Sequence, residues 1–270
     1  MRQQPSLARL LASAAVTAIL AAGLGGCQTM GDVTGSITSK DASAPSPDAD
    51  PRRSVEAYGE RYRANPKDVD AALAYGQALR ASGQRAQAAA VFEQATIAHP
   101  GNRLLLAGYG RALADNGNFQ QAFDVLSRAH SPDNPDWRIL SVQGTTLDQL
   151  GRHDEARRYY ASALKIVPEE PSVLSNLGLS YVLSKDLPKA EEALRRAYAT
   201  GRADARVRQN LGLVVGLQGR FSEAETIVKA DLPADEAEAN VAYLKEMLSR
   251  KDSPRAGKVP IPVASLNRPD

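Results

Sequence analysis

Glycine recurs through the middle of this chain at a fixed interval: Gly76, Gly110, Gly144, Gly178 and Gly212 stand 34 residues apart. Alanine keeps the same step at Ala88, Ala122, Ala156, Ala190 and Ala224, each twelve residues after its glycine. Gly83, Gly117, Gly151 and Gly219 form a third column, interrupted at Lys185. Glycine is about 7% of ordinary composition, so five preset positions fill by chance on the order of once in a million. Inside a helix a glycine costs about 1 kcal/mol relative to alanine, and close packing is what offsets that cost. The spacing therefore predicts helical hairpins. Glycine on a first helix faces alanine on a second, and the third-column residue takes the left-handed conformation that ends the first helix.

The order of small and large side chains around these columns resembles the tetratricopeptide repeat. Ala72, Tyr75, Gly76, Leu79, Gly83, Ala88, Phe92, Ala95 and Pro100 follow that pattern, as do Leu140, Gly144, Leu147, Gly151, Ala156, Tyr160, Ala163 and Pro168. The resemblance implies an all-α fold, a tetratricopeptide-repeat α-solenoid of antiparallel helix hairpins, used as a binding scaffold. Five repeats are expected over 69–102, 103–136, 137–170, 171–204 and 205–236, the last atypical because Asp231 and Glu236 replace the alanine and proline columns. Residues 51–68 read as an N-terminal capping helix with Ala57, Tyr58 and Tyr62 on one face. In the segment from Asp235 to Arg250, Ala237, Val241, Leu244 and Leu248 predict a closing helix over 237–250. Composition agrees: at 43% hydrophobic and only 5% aromatic, the chain suits helices packed through small residues better than a sandwich or barrel.

The two ends differ from the middle. Arg2 and Arg9 precede an uncharged, mostly apolar run from Leu10 to Leu24 that is short for a spanning helix of about 20 residues. It closes on Leu24, Gly25, Gly26 and Cys27, the only cysteine in the protein. This resembles the lipobox of bacterial lipoproteins, in which cleavage leaves the cysteine acylated; residues 1–27 then form the signal peptide, and Gln28 resembles the outer-membrane sorting state. Residues 28–50, rich in Gly, Ser, Thr, Asp, Ala and Pro, read as a flexible tether that spans about 25 Å. The proline-bearing residues 251–270 read as a disordered tail. Of the 33 basic residues against 31 acidic ones, Arg2 and Arg9 supply the excess, so the chain beyond its leader is formally neutral and carries no footprint for nucleic acid.

Chemistry is sparse. Cys27 is assigned to lipid, and His99, His130 and His153 fall in different repeats without metal-ligand spacing. His153 takes a place held elsewhere by Phe119, Leu187 and Phe221 and is expected to pack, partly buried. Trp137, after the turn Ser131 to Asp136, is expected to pack at a repeat boundary, and the pairs Glu169-Glu170 and Glu191-Glu192 read as solvated helix ends and faces. No enzyme, cofactor, metal or small-molecule substrate is expected. What remains is a surface. In tetratricopeptide proteins the first helix of each hairpin lines a groove, whose outward positions here are Asp70, Leu73, Gln77, Arg80, Leu104, Arg111, Arg138, Thr145, Ser175, Leu179, Gln209 and Leu213. Leucines among hydrogen-bonding side chains suit a segment of another protein. The carboxylate clamp of chaperone-binding repeats is not reproduced, since Leu73 stands where that clamp has lysine.

Leu183-Ser184-Lys185-Asp186-Leu187-Pro188-Lys189-Ala190-Glu191, Arg206-Val207-Arg208-Gln209-Asn210-Leu211, Gly216-Leu217-Gln218-Gly219-Arg220-Phe221 and Asn240-Val241-Ala242-Tyr243-Leu244 make the chain similar, over about residues 55–250, to the TadD lipoproteins of the tight-adherence (Flp) pilus system. That resemblance implies a lipid-anchored, periplasm-facing outer-membrane adaptor of pilus assembly, pilotin-like toward the secretin, with no catalytic residue. An adaptor for other envelope complexes, of peptidoglycan enzymes or outer-membrane protein assembly, is the alternative.

Overall fold

The computed structural model describes residues 51–251; the segments expected to be a signal peptide (with Leu24, Gly25, Gly26 and Cys27) and a tether, and all but the first residue of the expected tail, lie outside the described residues. Twelve helices make up the described chain: α1 (Pro51–Ala64), α2 (Val69–Ala81), α3 (Arg85–Ala98), α4 (Arg103–Asp115), α5 (Phe119–Leu126), α6 (Trp137–Gln149), α7 (His153–Ile166), α8 (Pro171–Leu183), α9 (Leu187–Ala199), α10 (Ala205–Leu217), α11 (Phe221–Val228) and α12 (Ala234–Lys251). They fall into two compact units, residues up to 168 and residues from 169 onward. Each is all-α and built from helix hairpins.

Local chemistry sets both ends of each first helix. Asp68, Asn102, Asp136, Glu170 and Asp204 stand 34 residues apart, and each side chain accepts a hydrogen bond from a backbone N–H two or three residues on. Such a cap contributes about 1 kcal/mol. At the other end Gly83, Gly117, Gly151 and Gly219 have φ between 75° and 84°, and Lys185 holds the same left-handed position at 64°. The bond that closes this turn, Gln84 N–H to Leu79 O at 2.8 Å, recurs in all five hairpins.

The glycine column packs differently from the simple glycine-to-alanine expectation. The nearest atoms to a Cβ built on each of the five glycines belong to the residue sixteen places later: Phe92, Leu126, Tyr160, Leu194 and Val228. Phe92 Cε2 would lie 2.5 Å from a Cβ at position 76, and Tyr160 Cζ 2.7 Å from one at position 144. The alanines enter through their backbone, the carbonyls of Ala122, Ala190 and Ala224 lying 3.2–3.4 Å from the corresponding Cβ positions. Small side chains at both crossings let the backbones close in, and one large side chain then fills the space above each glycine.

In the first unit a continuous core runs from Ala72 through Leu79, Phe92, Leu105 and Leu126 to Ile139, with Tyr62 of α1 packed against it. The second unit's core joins Val182, Leu194, Leu211 and Val214. Two second helices, α5 and α11, are only eight residues long. After α11, Asp231 stands where the other repeats have alanine and accepts from Arg208 Nε at 2.6 Å. The closing helix starts at Ala234, three residues earlier than expected, because Pro233 fixes the entry and its carbonyl accepts the Ala237 N–H at 3.0 Å.

Glu191 is not the solvated acid that its sequence context predicts. Arg195 Nε lies 2.7 Å from one oxygen, Gln218 Nε2 donates to the other at 2.8 Å, and Arg220 also bridges to it. These bonds join α9 to the turn that opens α11. The hydrogen bond from Arg220 first, then those from Arg195 and Gln218, outweigh partial burial and hold the Glu191 carboxyl down from its ordinary 4.5 to about 2. A depressed folded-state pKa stabilises above the unfolded pKa and loses that contribution as pH falls through the folded one. Glu191→Gln is therefore expected to cost about 1 kcal/mol at pH 7, the scale of a partly exposed charge network. The gap from wild type, read by urea denaturation, should close between pH 4.5 and 2.

Candidate functional site

In the first unit α2, α4 and α6, the first helices of three hairpins, lie side by side, and so do α8, α10 and α12 in the second. Their outer faces are the candidate binding surfaces. Asp70, Gln77, Leu104 and Gln209 are exposed, whereas Leu73, Arg80, Arg111, Arg138, Thr145, Leu179 and Leu213 are half-buried. Leu73 also packs against the first core, and the Thr145 hydroxyl turns inward to the carbonyl of Val142 at 2.9 Å. Ser175 is a correction: at 1% exposure it is core, where its hydroxyl accepts from Asn210 Nδ2 at 2.9 Å. A short hydroxyl with a neighbouring-helix partner is accommodated between α8 and α10 rather than turned to solvent.

Three arginines, one from each first helix, mark the face of the first unit. Arg80, near the end of α2, donates from Nε to Asp115 at 2.6 Å. Arg138, in the first turn of α6, places its guanidinium carbon 4.5 Å from the ring centre of Trp137, so the half-buried tryptophan serves as a stacking platform at the repeat boundary. Arg111 sits on α4, the helix between α2 and α6. Burial, then the positive charge of Arg80 and that of Arg138, pull its pKa below the ordinary guanidinium value, while Asp136 and Asp115 push the other way. Among the described residues Arg111 forms no salt bridge and no side-chain hydrogen bond.

Two polar clusters in this unit escaped the sequence reading. The Asp148 carboxylate, 7% exposed, accepts from His153 Nδ1 at 2.9 Å and from the Tyr160 hydroxyl at 2.8 Å. Burial, reinforced by the charge and hydrogen bond of Asp148, raises the Tyr160 pKa well above 10.0. His153 is thus half-buried as expected, but oriented by a carboxylate; an acid five residues before an aromatic-column histidine was the available signal. In the second cluster Gln143 Nε2 donates to Ser127 Oγ at 3.1 Å and Gln143 Oε1 lies 2.9 Å from His130 Nε2, leaving His130 Nδ1 buried without a partner. A shallow depression of about 390 Å³ borders His130, Gln143, Tyr159 and Ile166. His99 binds the Lys67 carbonyl at 2.8 Å. Among the described residues no group of three or more His, Cys, Asp or Glu could hold a metal, and no helix is long and apolar enough to cross a membrane.

Known proteins share the repeats and the fold. Residues 76–135 and 142–206 match the family model of the tetratricopeptide repeat. Over 124 residues the chain is 27% identical to the BBSome complex member BBS4 of Bos taurus, covering 46% of this chain and 24% of that protein. Over 118 residues it is 32% identical to the cytochrome c-type biogenesis protein CycH of Bradyrhizobium diazoefficiens, covering 41% and 32%. The chain thus spans about a quarter to a third of the length of these curated relatives. PilW, a widely conserved type IV pilus biogenesis factor, is similar in structure at a TM-score of 0.62 with 18% identity, over 71% of this chain and 90% of that one. TTC0263, a thermophilic TPR protein of Thermus thermophilus, reaches 0.57 with 21% identity, over 65% and 97%. At such identities the likeness is one of fold.

Proposed function

We propose that this chain, which carries tetratricopeptide repeats, is a non-enzymatic adaptor of Flp (Tad) pilus assembly, held on the periplasmic side of the outer membrane by lipid on Cys27 and pilotin-like toward the secretin. The observation that carries the reading is a repeat scaffold of a kind used for protein binding, placed behind a stretch that resembles a lipobox and whose cysteine is the only one in the sequence. Multiple acyl chains would anchor it firmly, because each buried methylene contributes about 0.8 kcal/mol and one chain alone is marginal. The tether gives reach, and the repeats hold the secretion component. The quoted TadD-like segments favour pilus assembly over the other envelope complexes, and the similarity to PilW, itself a pilus biogenesis factor, is in keeping with it.

Cys27→Ala in the native host provides the test. The expected result is a protein shifted from the outer-membrane to the soluble fraction, loss of surface pili, and loss of secretin multimers from the outer membrane. Full piliation by a wholly soluble variant would remove the anchoring role, and retention of the secretin without pili would move the adaptor to another component of the machine.

A further inference from the structure

Charge accounting on the first unit's face leaves a remainder. Arg80, Arg111 and Arg138 come from three first helices that lie side by side, and the Arg80 guanidinium reaches Asp115, one turn beyond Arg111 on α4, at 2.6 Å; the like charges of the outer two disfavour ionisation of the middle one. Two carboxylates face them, and both have other work: Asp115 holds Arg80, and Asp136 accepts the Arg138 backbone N–H at 2.8 Å as the cap of α6. Arg111 is left half-buried among like charges without a bonded acceptor among the described residues. A partly desolvated charge left so is unfavourable in the free protein, and a bound anion relieves it. A guanidinium presents a planar fork that carboxylate fits with two parallel bonds.

Seven residues before Arg111, two turns along the same face of α4, Leu104 is 63% exposed. The two lie about 10 Å apart along the helix at about 1.5 Å per residue. That is the reach of roughly three residues of extended chain.

We propose that Arg111, flanked by Arg80 and Arg138, is the receptor for a side-chain carboxylate in an extended acidic segment of the partner protein, and that Leu104 takes an apolar side chain about three residues away. This names the partner chemistry for the adaptor function above and rests on that reading for its biological setting, though the binding itself does not. The apolar contact fixes direction and the guanidiniums supply discrimination, since a glutamine in place of the acid leaves Arg111 unsatisfied. The same chemistry makes Arg111 a binding residue rather than a structural one: what Asp136 and Asp115 give its charge is outweighed by burial and by the two neighbouring arginines.

The test uses the full chain purified in a mild detergent, and a fluorescein-labelled, C-terminally amidated peptide with two glutamates three residues from a leucine in a glycine and serine background. Fluorescence anisotropy at low salt should show binding that weakens at least tenfold when the glutamates become glutamines, and at least tenfold in Arg111→Met. Arg85→Gln, which removes an exposed arginine on a second helix, should change it less than twofold. The melting temperature of Arg111→Met should equal or exceed that of wild type. Equal losses in both arginine variants would reduce the effect to general charge and overturn the site, as would indifference to glutamine, binding that requires a free carboxy terminus, or a melting temperature several degrees lower. In cells, Arg111→Met should keep its membrane fraction yet lose piliation. Peptide binding without a pilus phenotype would count against the pilus reading while leaving the site standing, and a Cys27→Ala phenotype without peptide binding would do the reverse.

Discussion

Phe92→Ala should lower the unfolding free energy by about 3–5 kcal/mol, the usual cost of deleting a buried aromatic side chain, and the packing around it points to the upper end. Phe92 is 0% exposed and fills the space above two glycines: a Cβ at position 76 would meet Phe92 Cε2 at 2.5 Å, and one at position 108 would meet Cζ at 2.7 Å. Glycines cannot lean into a vacated volume, so the cavity stays open and its cost is kept. Urea denaturation followed by far-ultraviolet circular dichroism and by the emission of Trp137, in the same unit, measures the loss. A cost under about 2 kcal/mol would mean that the helices collapse onto the space, which the glycine sockets do not allow.

The reverse operation, adding one carbon at Gly144, is expected to cost about 1–2 kcal/mol net, because overpacking in the upper part of its usual range of about 1–3 kcal/mol outweighs the roughly 1 kcal/mol that alanine returns in helix propensity. Tyr160 cannot step aside. Its ring is 1% exposed, Cζ and Cδ1 would lie 2.7 and 2.8 Å from the new Cβ, and its hydroxyl is fixed on Asp148 at 2.8 Å. Tyr160→Phe removes that fixing point, so Gly144→Ala should cost measurably less in the Tyr160→Phe background, with a coupling of at least about 0.5 kcal/mol in the double-mutant cycle. Gly151→Ala offers the contrast: nothing lies within 4 Å of its Cβ position and φ is 75°, so its penalty comes from the backbone and should not respond to Tyr160→Phe. Strict additivity at Gly144 and Tyr160 would count against the plugged-socket account.

Much of this fold could be read from the chain because repetition multiplies weak signals. A single glycine, or one aspartate before a helix, says little; five glycines at one interval identify the crossing, and four more, interrupted at Lys185, the left-handed turn, whereas the caps from Asp68 to Asp204 keep the same interval but came to light only in the structure. What could not be read depends on contacts between columns. That Gly144 meets Tyr160 rather than Ala156, that Ser175 faces Asn210 rather than solvent, and that Glu191 collects Arg195, Gln218 and Arg220 are matters of which side chains reach across a hairpin or to the next. The candidate site shows the same division. Helical period alone puts Arg80, Arg111 and Arg138 on outer faces, but it cannot reveal that Asp115 and Asp136 are already engaged and Arg111 is not.

The socket and plug lie within one hairpin, sixteen positions apart, in every one of the five repeats. Each module therefore carries both halves of its own lock, and the gene can lengthen or shorten the array by whole copies with every such pair kept, while contacts between hairpins, such as Phe92 on Gly108, depend on which copy follows. A change of 34 codons leaves every lock closed, whereas an insertion of a few residues between a glycine and its plug would spring one open. Duplication of whole copies is then a low-cost route to new surface, and the differing plugs, Phe92, Leu126, Tyr160, Leu194 and Val228, show that one kind of socket accepts aromatic and aliphatic side chains alike.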